Sequence, residues 1–222
     1  FYCRIWCPLL TLWYLIWQWI FPDHTLEAVV ADAQRGGADR LCAKGKALSK
    51  GIKSKATTAY SDARQRLPLD WVRQCFAKLV DAGLTLGQGR SPDLPVELLD
   101  GSTKRLRPHG DIPQHFPPHR TNRRKAYWCV ARVLVSFCAA TGIATAARIA
   151  SLHVSEQALA VELLLEAAKR VLDIGDRNFG VYRVVRAAVQ SGAQALVRLT
   201  KVRARHLLGR KRLPAFLDQA VV

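Results

Sequence analysis

The sequence predicts an α/β protein: a mixed-sheet domain preceded by an all-helical N-terminal region. Three observations lead there. Up to Leu84 the apolar residues recur at helical spacing. A turn-rich joint, Gly87 to Pro95, then interrupts the pattern. Beyond it come several short β-type runs, followed by helix, strand, helix and strand in alternation, the pattern of a mixed α/β domain. In 222 residues this makes two modest domains, residues 1–90 and 91–222. Half the residues are hydrophobic, enough for a real core and too many for wholesale disorder.

The elements follow in order. Ile5 to Phe21 is the most hydrophobic run. It is too short, too rich in tryptophan and too interrupted by Pro8 and Gln18 for a membrane span, which needs about 20 apolar residues. No small-residue cleavage site follows it, as a signal peptide would require. The run therefore reads as a buried or partner-packed helix with Trp13, Trp17 and Trp19 in the core. Phe21-Pro22-Asp23 is a stop, and Asp23 or Thr25 is placed to cap a second helix carrying Leu26, Val29, Val30 and Ala33. Ser61 to Gly83 reads as a short turn followed by an amphipathic helix with Trp71, Val72, Cys75, Phe76, Leu79 and Val80 on one face, ended by Gly83. After the joint, Val96 to Asp100 is a short strand and Lys104 to Lys125 a basic loop with four prolines. Ala126 to Phe137 and Ile143 to Ile149 are strands, and Val154 to Ala168 is a helix opened by Ser155. Arg170 to Gly175 and Ala195 to Thr200 are short strands flanking a helix near Val181 to Gln190.

Lys and Arg number 34 against 17 Asp and Glu, a net charge of +17 that points to a polyanionic partner. The charge is concentrated in Arg40 to Lys55, which holds no acid, in the Lys104 to Lys125 loop, whose one acid is Asp111, and in Arg198 to Arg212, again without an acid. Charge runs are usually solvated faces; several of them beside a carboxylate pair favour phosphate contact. The six cysteines (Cys3, Cys7, Cys42, Cys75, Cys129 and Cys138) form no CxxC pair and read as reduced thiols. His115-Phe-Pro-Pro-His119, with His109 nearby, is poor for zinc, because its two prolines preclude a regular helix and no third soft ligand follows; a basic, DNA-facing loop is the better reading. Gly87-Gln88-Gly89 lacks the ending of a phosphate loop.

Two aspartates stand out by position. Asp100 ends one strand and is followed by Gly101-Ser102-Thr103; Asp176 ends another and is followed by Arg177-Asn178-Phe179-Gly180. A carboxylate at the C-terminal end of a strand, beside a glycine that admits a ligand, is a common place for a functional acid. Turn and cap roles are the alternative.

The blocks LLDGSTKRLRP, AYWCVARVLVSFCAATG, SLHVSEQAL, GDRNFGVYRVV and ALVRLTK, in that order, resemble the DDE transposases of the insertion sequence 4 family, and GDRNFG is the most specific of them. The opening segment is similar to the N-terminal region of such proteins, so the resemblance covers most of the chain. It implies an RNase H-like catalytic domain in which three acids bind two Mg²⁺ or Mn²⁺ ions, preceded by a helical DNA-binding region. Its partner is double-stranded DNA, both transposon ends and target, handled by a homo-oligomer when intact, in a cytoplasmic, nucleoid-associated bacterial setting without stable membrane association. Asp100 matches the first acid and Asp176 the second. The DNA-facing cations are Lys104, Arg105, Arg107, Arg120, Arg123, Arg124, Lys125, Arg177, Arg198, Lys201, Arg203 and Arg205. The third acid, a glutamate, is expected well downstream on a helix. The 46 residues after Asp176 contain no Glu, and their one acid, Asp218, reads as a surface or turn residue. Glu156, Glu162 and Glu166 precede Asp176 and are out of order. With no Met and a first residue Phe1, the chain reads as a fragment that stops before its third ligand, inactive in cleavage as it stands. A sheet cut before its last helices should leave one face bare. Two rivals stay open: a DNA-binding remnant without activity, and a basic protein held on a membrane by residues 5–21.

Overall fold

The computed structural model describes residues 5–42, 47–86, 94–118, 127–166, 170–209 and 212. They fall into two compact units, Phe1–Lys78 and Leu79–Val222. Most of the Gly87 to Pro95 joint, His119, the cations Arg120, Arg123, Arg124 and Lys125, and Asp218 lie outside the described residues.

The first unit is helical. Pro8 opens α1 (Pro8–Ile20), where its missing N–H costs nothing. Thr25 caps α2 (Leu26–Gln34) by accepting the Ala28 N–H at 3.1 Å. Asp23 in turn accepts from the backbone and hydroxyl of Thr25, which holds its carboxyl below the usual range. The short helices α3 (Leu48–Gly51) and α4 (Thr58–Gln65) complete the unit. Tyr14 and Tyr60 are fully buried at its centre beside Leu10, Val29, Ala33 and Leu48, with the Trp6 ring 4.8 Å from that of Tyr60. Each buried phenol has a partner: Tyr14 donates to Asp32 at 3.0 Å and Tyr60 to Gln18 at 2.8 Å. Burial pushes the Tyr14 phenol far up, with the Asp32 charge adding to it, and pushes Tyr60 up to about 12.

Trp13 and Trp17 pack against this core, but Trp19 does not: it is 71 % exposed, with Leu9, Ile16 and Ile20 also outward. A helix apolar on all sides has more apolar surface than one small core can cover. Among the described residues no helix is long and apolar enough to cross a membrane.

The expected amphipathic helix is α5 (Leu69–Leu86), which does not end at Gly83 but runs on to Leu86. Its apolar face is more open than the pattern implies. Val80 is buried, Trp71, Val72 and Cys75 are half-buried, and Phe76 and Leu79 are exposed. The tight seam is narrow: the Ile143 side chain fills the place a Cβ on Gly83 would take.

The second unit is α/β, built on a mixed, open five-stranded sheet. Its strands are β1 (Val96–Leu106), β2 (Cys129–Cys138), β3 (Ala144–Ser151), β4 (Leu172–Gly175) and β5 (Gln194–Val197), in the order β3-β2-β1-β4-β5. β1, β2 and β3 form an antiparallel meander, while β4 and β5 run parallel to β1. A one-turn α6 (Ile112–His115) follows β1. The crossovers carry α7 (Glu156–Glu166) and α8 (Tyr182–Gln190), and α9 (Lys201–Leu208) follows β5. Ser155 caps α7, as expected, by accepting the Ala158 N–H at 3.1 Å.

Two sequence expectations are corrected here. β1 does not stop at Asp100. Its pairing with β2 continues from Ser102 opposite Val133 to Leu106 opposite Cys129, so Asp100 lies mid-strand and Lys104 and Arg105 are strand residues rather than loop. The polar run after Gly101 hid a strand whose backbone bonds outweigh its composition. The last strand is likewise not Ala195 to Thr200: β5 ends at Val197, and the chain is helical from Lys201, because Thr200 accepts the Arg203 N–H and Gly209 closes the helix in the left-handed region at φ +60°.

One sheet face carries the core: Leu99 and Leu134 pack with Leu159, Leu163 and Leu164 of α7, Val184 and Ala188 of α8, and Phe179. On the opposite face the described residues leave part of the sheet exposed. The register sets Leu98, Ile174 and Leu196 in a row across it, with Leu98 and Leu196 exposed.

Candidate functional site

The parallel pairing of β1 with β4 places Leu99 opposite Gly175. One residue further on stand Asp100, within β1, and Asp176, just past the end of β4. Two carboxylates 76 positions apart in sequence thus leave adjacent strands, whose backbones run about 4.8 Å apart, at the same level. Both are exposed. Asp100 accepts the N–H of Gly101 at 2.9 Å, and Asp176 accepts the N–H of Asn178 at 2.8 Å in an Asx turn. On the core face beneath them, Glu97 and Asp173 are also register partners, both buried, and Ser136 donates to Glu97 at 2.6 Å.

Each residue of Gly175 to Gly180 has a local reason. Phe179 is 1 % exposed, and its Cβ and ring lie 3.0 Å from where a Gly175 Cβ would sit. Gly180 faces the Arg198 carbonyl so closely that a Cβ would be 2.7 Å from its oxygen. Between them Asn178 is held from three sides. Its side-chain N–H donates to Glu156, while its side-chain and backbone oxygens accept from Gln157 at 3.2 and 2.9 Å. Arg183 closes the chain by donating to Gln157 and to Ser155. The first turn of α7 thereby grips the Asp176 turn.

The same helix end reaches β1. A Cβ on Gly101 would coincide with the Glu156 carboxyl group, so only a glycine leaves Glu156 its seat against β1 at the residue after Asp100. Sequence reasoning set Glu156 aside by its order in the chain and passed over Asn178, Gln157 and Arg183. The signals were in the blocks already quoted: the Gly of DGST, the Asn of GDRNFG and the Ser-Glu-Gln of SLHVSEQAL.

The DNA-facing cations separate into groups. Arg177 follows Asp176 directly, is exposed, and its carbonyl accepts from Arg203 at 2.8 Å, which brings the start of α9 to the acid turn. Lys201 and Arg205 are exposed on α9, and Arg198 is exposed just before it. Lys104 and Arg105 stand exposed on the far half of β1, with Arg107 beyond its end. His115 lies 3.7 Å from Asp111 on the surface. Among the described residues no three or more His, Cys, Asp and Glu side chains gather in a group that could hold a metal ion.

The chain therefore presents an α/β unit with two exposed acids on its central parallel strands and arginines at their edge. No protein-family model, curated protein or solved structure matches it.

Proposed function

We propose that this chain is part of a DNA transposase of the insertion sequence 4 family: a helical DNA-binding region followed by an RNase H-like domain that cuts and joins phosphodiesters at element ends. The observation that carries the reading is the placement of Asp100 and Asp176 one residue beyond the Leu99–Gly175 register pair of β1 and β4, neighbouring parallel strands of a β3-β2-β1-β4-β5 sheet. An all-oxygen, two-carboxylate site fits Mg²⁺ or Mn²⁺, hard ions that take one or two carboxylates and complete their shell with water and substrate phosphate. Bound there, such ions supply activation of the attacking oxygen and stabilisation of the leaving one. Asp100 and Asp176 hold the site open to a duplex edge. Arg177, Arg198, Lys201 and Arg205 neutralise phosphates alongside, and Lys104, four residues along β1 from Asp100 and on the same face, extends the track. The unit that holds them carries twenty-two Lys and Arg against eleven Asp and Glu, which suits a polyanion.

A second reading, DNA binding without turnover, is favoured by the exposed cations Arg177, Arg198, Lys201 and Arg205, which suit phosphate contact whether or not the acids hold a metal. Nicking of supercoiled plasmid in Mg²⁺ or Mn²⁺ separates the two. Nicking that disappears in Asp100→Asn and in Asp176→Asn supports the transposase reading, and nicking undiminished by both refutes the assignment. Salt-sensitive plasmid binding without nicking supports the second reading.

A further inference from the structure

We infer that Glu156 is a positioning residue for the acid pair, acting through Asn178 to set the Asp176 carboxylate against the strand that carries Asp100. The inference rests on the proposed reading of Asp100 and Asp176 as a divalent-cation site.

The Asp176 carboxylate is oriented by one backbone donor, the Asn178 N–H at 2.8 Å. Whatever fixes Asn178 therefore fixes that carboxylate. Asn178 could turn freely in an exposed loop, but its side-chain amide is spanned on both ends: its N–H₂ donates to Glu156 and its oxygen accepts from Gln157. The donor and acceptor order is consistent along the whole chain, from Arg183 through Gln157 and Asn178 to Glu156. Glu156 is itself immobilised. It is half-buried, it starts α7 where the helix dipole favours a carboxylate, and its carboxyl group fills the space left by the absent side chain of Gly101. One side chain thus touches the residue after the first acid and the residue two after the second. Outer residues that orient metal-binding carboxylates typically change metal affinity by about 10- to 100-fold when removed.

The hydrogen bond, and not the charge, carries this role, which makes the proposal sharp. Gln at 156 retains an acceptor for the Asn178 amide, whereas Ala does not.

The test is Mn²⁺ uptake by the full chain, followed through the electron paramagnetic resonance signal of the free ion, with urea unfolding of each variant alongside. Glu156→Ala is expected to weaken uptake by about tenfold or more. Glu156→Gln should stay within about threefold of the unaltered chain by the same scale. Asn178→Asp, which replaces the donor by a second carboxylate, should weaken uptake as Glu156→Ala does. Combining Asn178→Asp with Glu156→Gln restores a donor facing an acceptor and should recover most of it, a rescue that a generally loosened fold would not give. If Glu156→Ala does not fold, the Asn178→Asp variant and its rescue decide the matter. Uptake that needs Asp100 and Asp176 but ignores Glu156→Ala and Asn178→Asp overturns the inference and leaves the site reading standing. Loss in Glu156→Gln as deep as in Glu156→Ala also overturns it, since the charge would then be what matters. Uptake absent from the unaltered chain, or indifferent to Asp100→Asn and Asp176→Asn, removes the site reading and the inference together.

Discussion

Replacing Phe179 by Ala tests whether the Asp176 turn hangs from the core of the second unit. Phe179 is 1 % exposed and packs among Leu99, Leu159, Val184 and Ala188, with its ring against Gly175. Removing its ring forfeits about 2–3 kcal/mol of transfer free energy. It also leaves up to about 100 Å³ of unfilled volume, which at about 24 cal/mol per Å³ adds up to about 2.4 kcal/mol where the walls hold their place. Partial collapse brings the total to about 3–5 kcal/mol. With a urea m-value of about 2 kcal/mol/M for a unit of this size, the midpoint should fall by about 2 M, read by far-ultraviolet circular dichroism with the slope unchanged. Phe179→Leu keeps most of the volume and should cost about 1–1.5 kcal/mol. A Phe179→Ala midpoint within about 0.5 M of the unaltered chain, about 1 kcal/mol by the same m-value, would refute the placement of this side chain in the core.

Other predictions follow from single contacts. Gly180→Ala drives a Cβ to 2.7 Å from the Arg198 carbonyl oxygen, backbone against backbone, and should cost about 1–3 kcal/mol by the same urea measurement. Thr200→Ala removes the cap of α9 and should cost about 1 kcal/mol locally, seen as faster hydrogen exchange at Arg203 with β2 unaffected. Tyr14 and Tyr60 are raised above the ordinary phenol value near 10, so the fold favours their neutral forms. Their stabilising contribution is complete below pH of about 10 and is lost as pH climbs from there through about 12 and beyond. Absorbance at 295 nm should show two of the five tyrosines titrating late, and all five titrating near 10 in the folded chain would contradict their burial. Lys201→Ala with Arg205→Ala should lower the slope of log affinity for duplex DNA against log salt by about 1.8. An unchanged slope places the phosphate track elsewhere.

Much of the second unit was legible because its strands and helices are bounded by strong local signals. Ser155 before α7, the apolar run into β2, and the Gly-Asp break after β4 all lie close to where the pattern sets them. What escaped was decided by partners distant in sequence. The second half of β1 is polar and basic, and it is a strand because β2 supplies its backbone bonds. The openness of α5 could not be read from its stripe, since periodicity tells which residues share a face and not what lies opposite. Trp19 failed for the same reason. Asp100 and Asp176 were singled out by their places after apolar runs and by resemblance; their being neighbours is a fact of strand order. Glu156 was dismissed by counting along the chain, a measure that proximity in a sheet does not respect.

The strand order has a consequence for how the molecule comes into being. β2 and β3 are joined by a short turn and β1 reaches β2 through the connection that holds α6, but β4 joins β1 from the other side, after the whole meander and α7 in the chain. Closing so long a loop is among the slower events of folding. The two aspartates are strangers until that closure, each an ordinary surface acid. Nascent or clipped chains ending before Gly175 can carry most of the hydrophobic core and much of the positive charge, yet hold none of the geometry that sets one acid beside the other. In such a protein the pairing of the acids is a record that the central strand has found both of its neighbours.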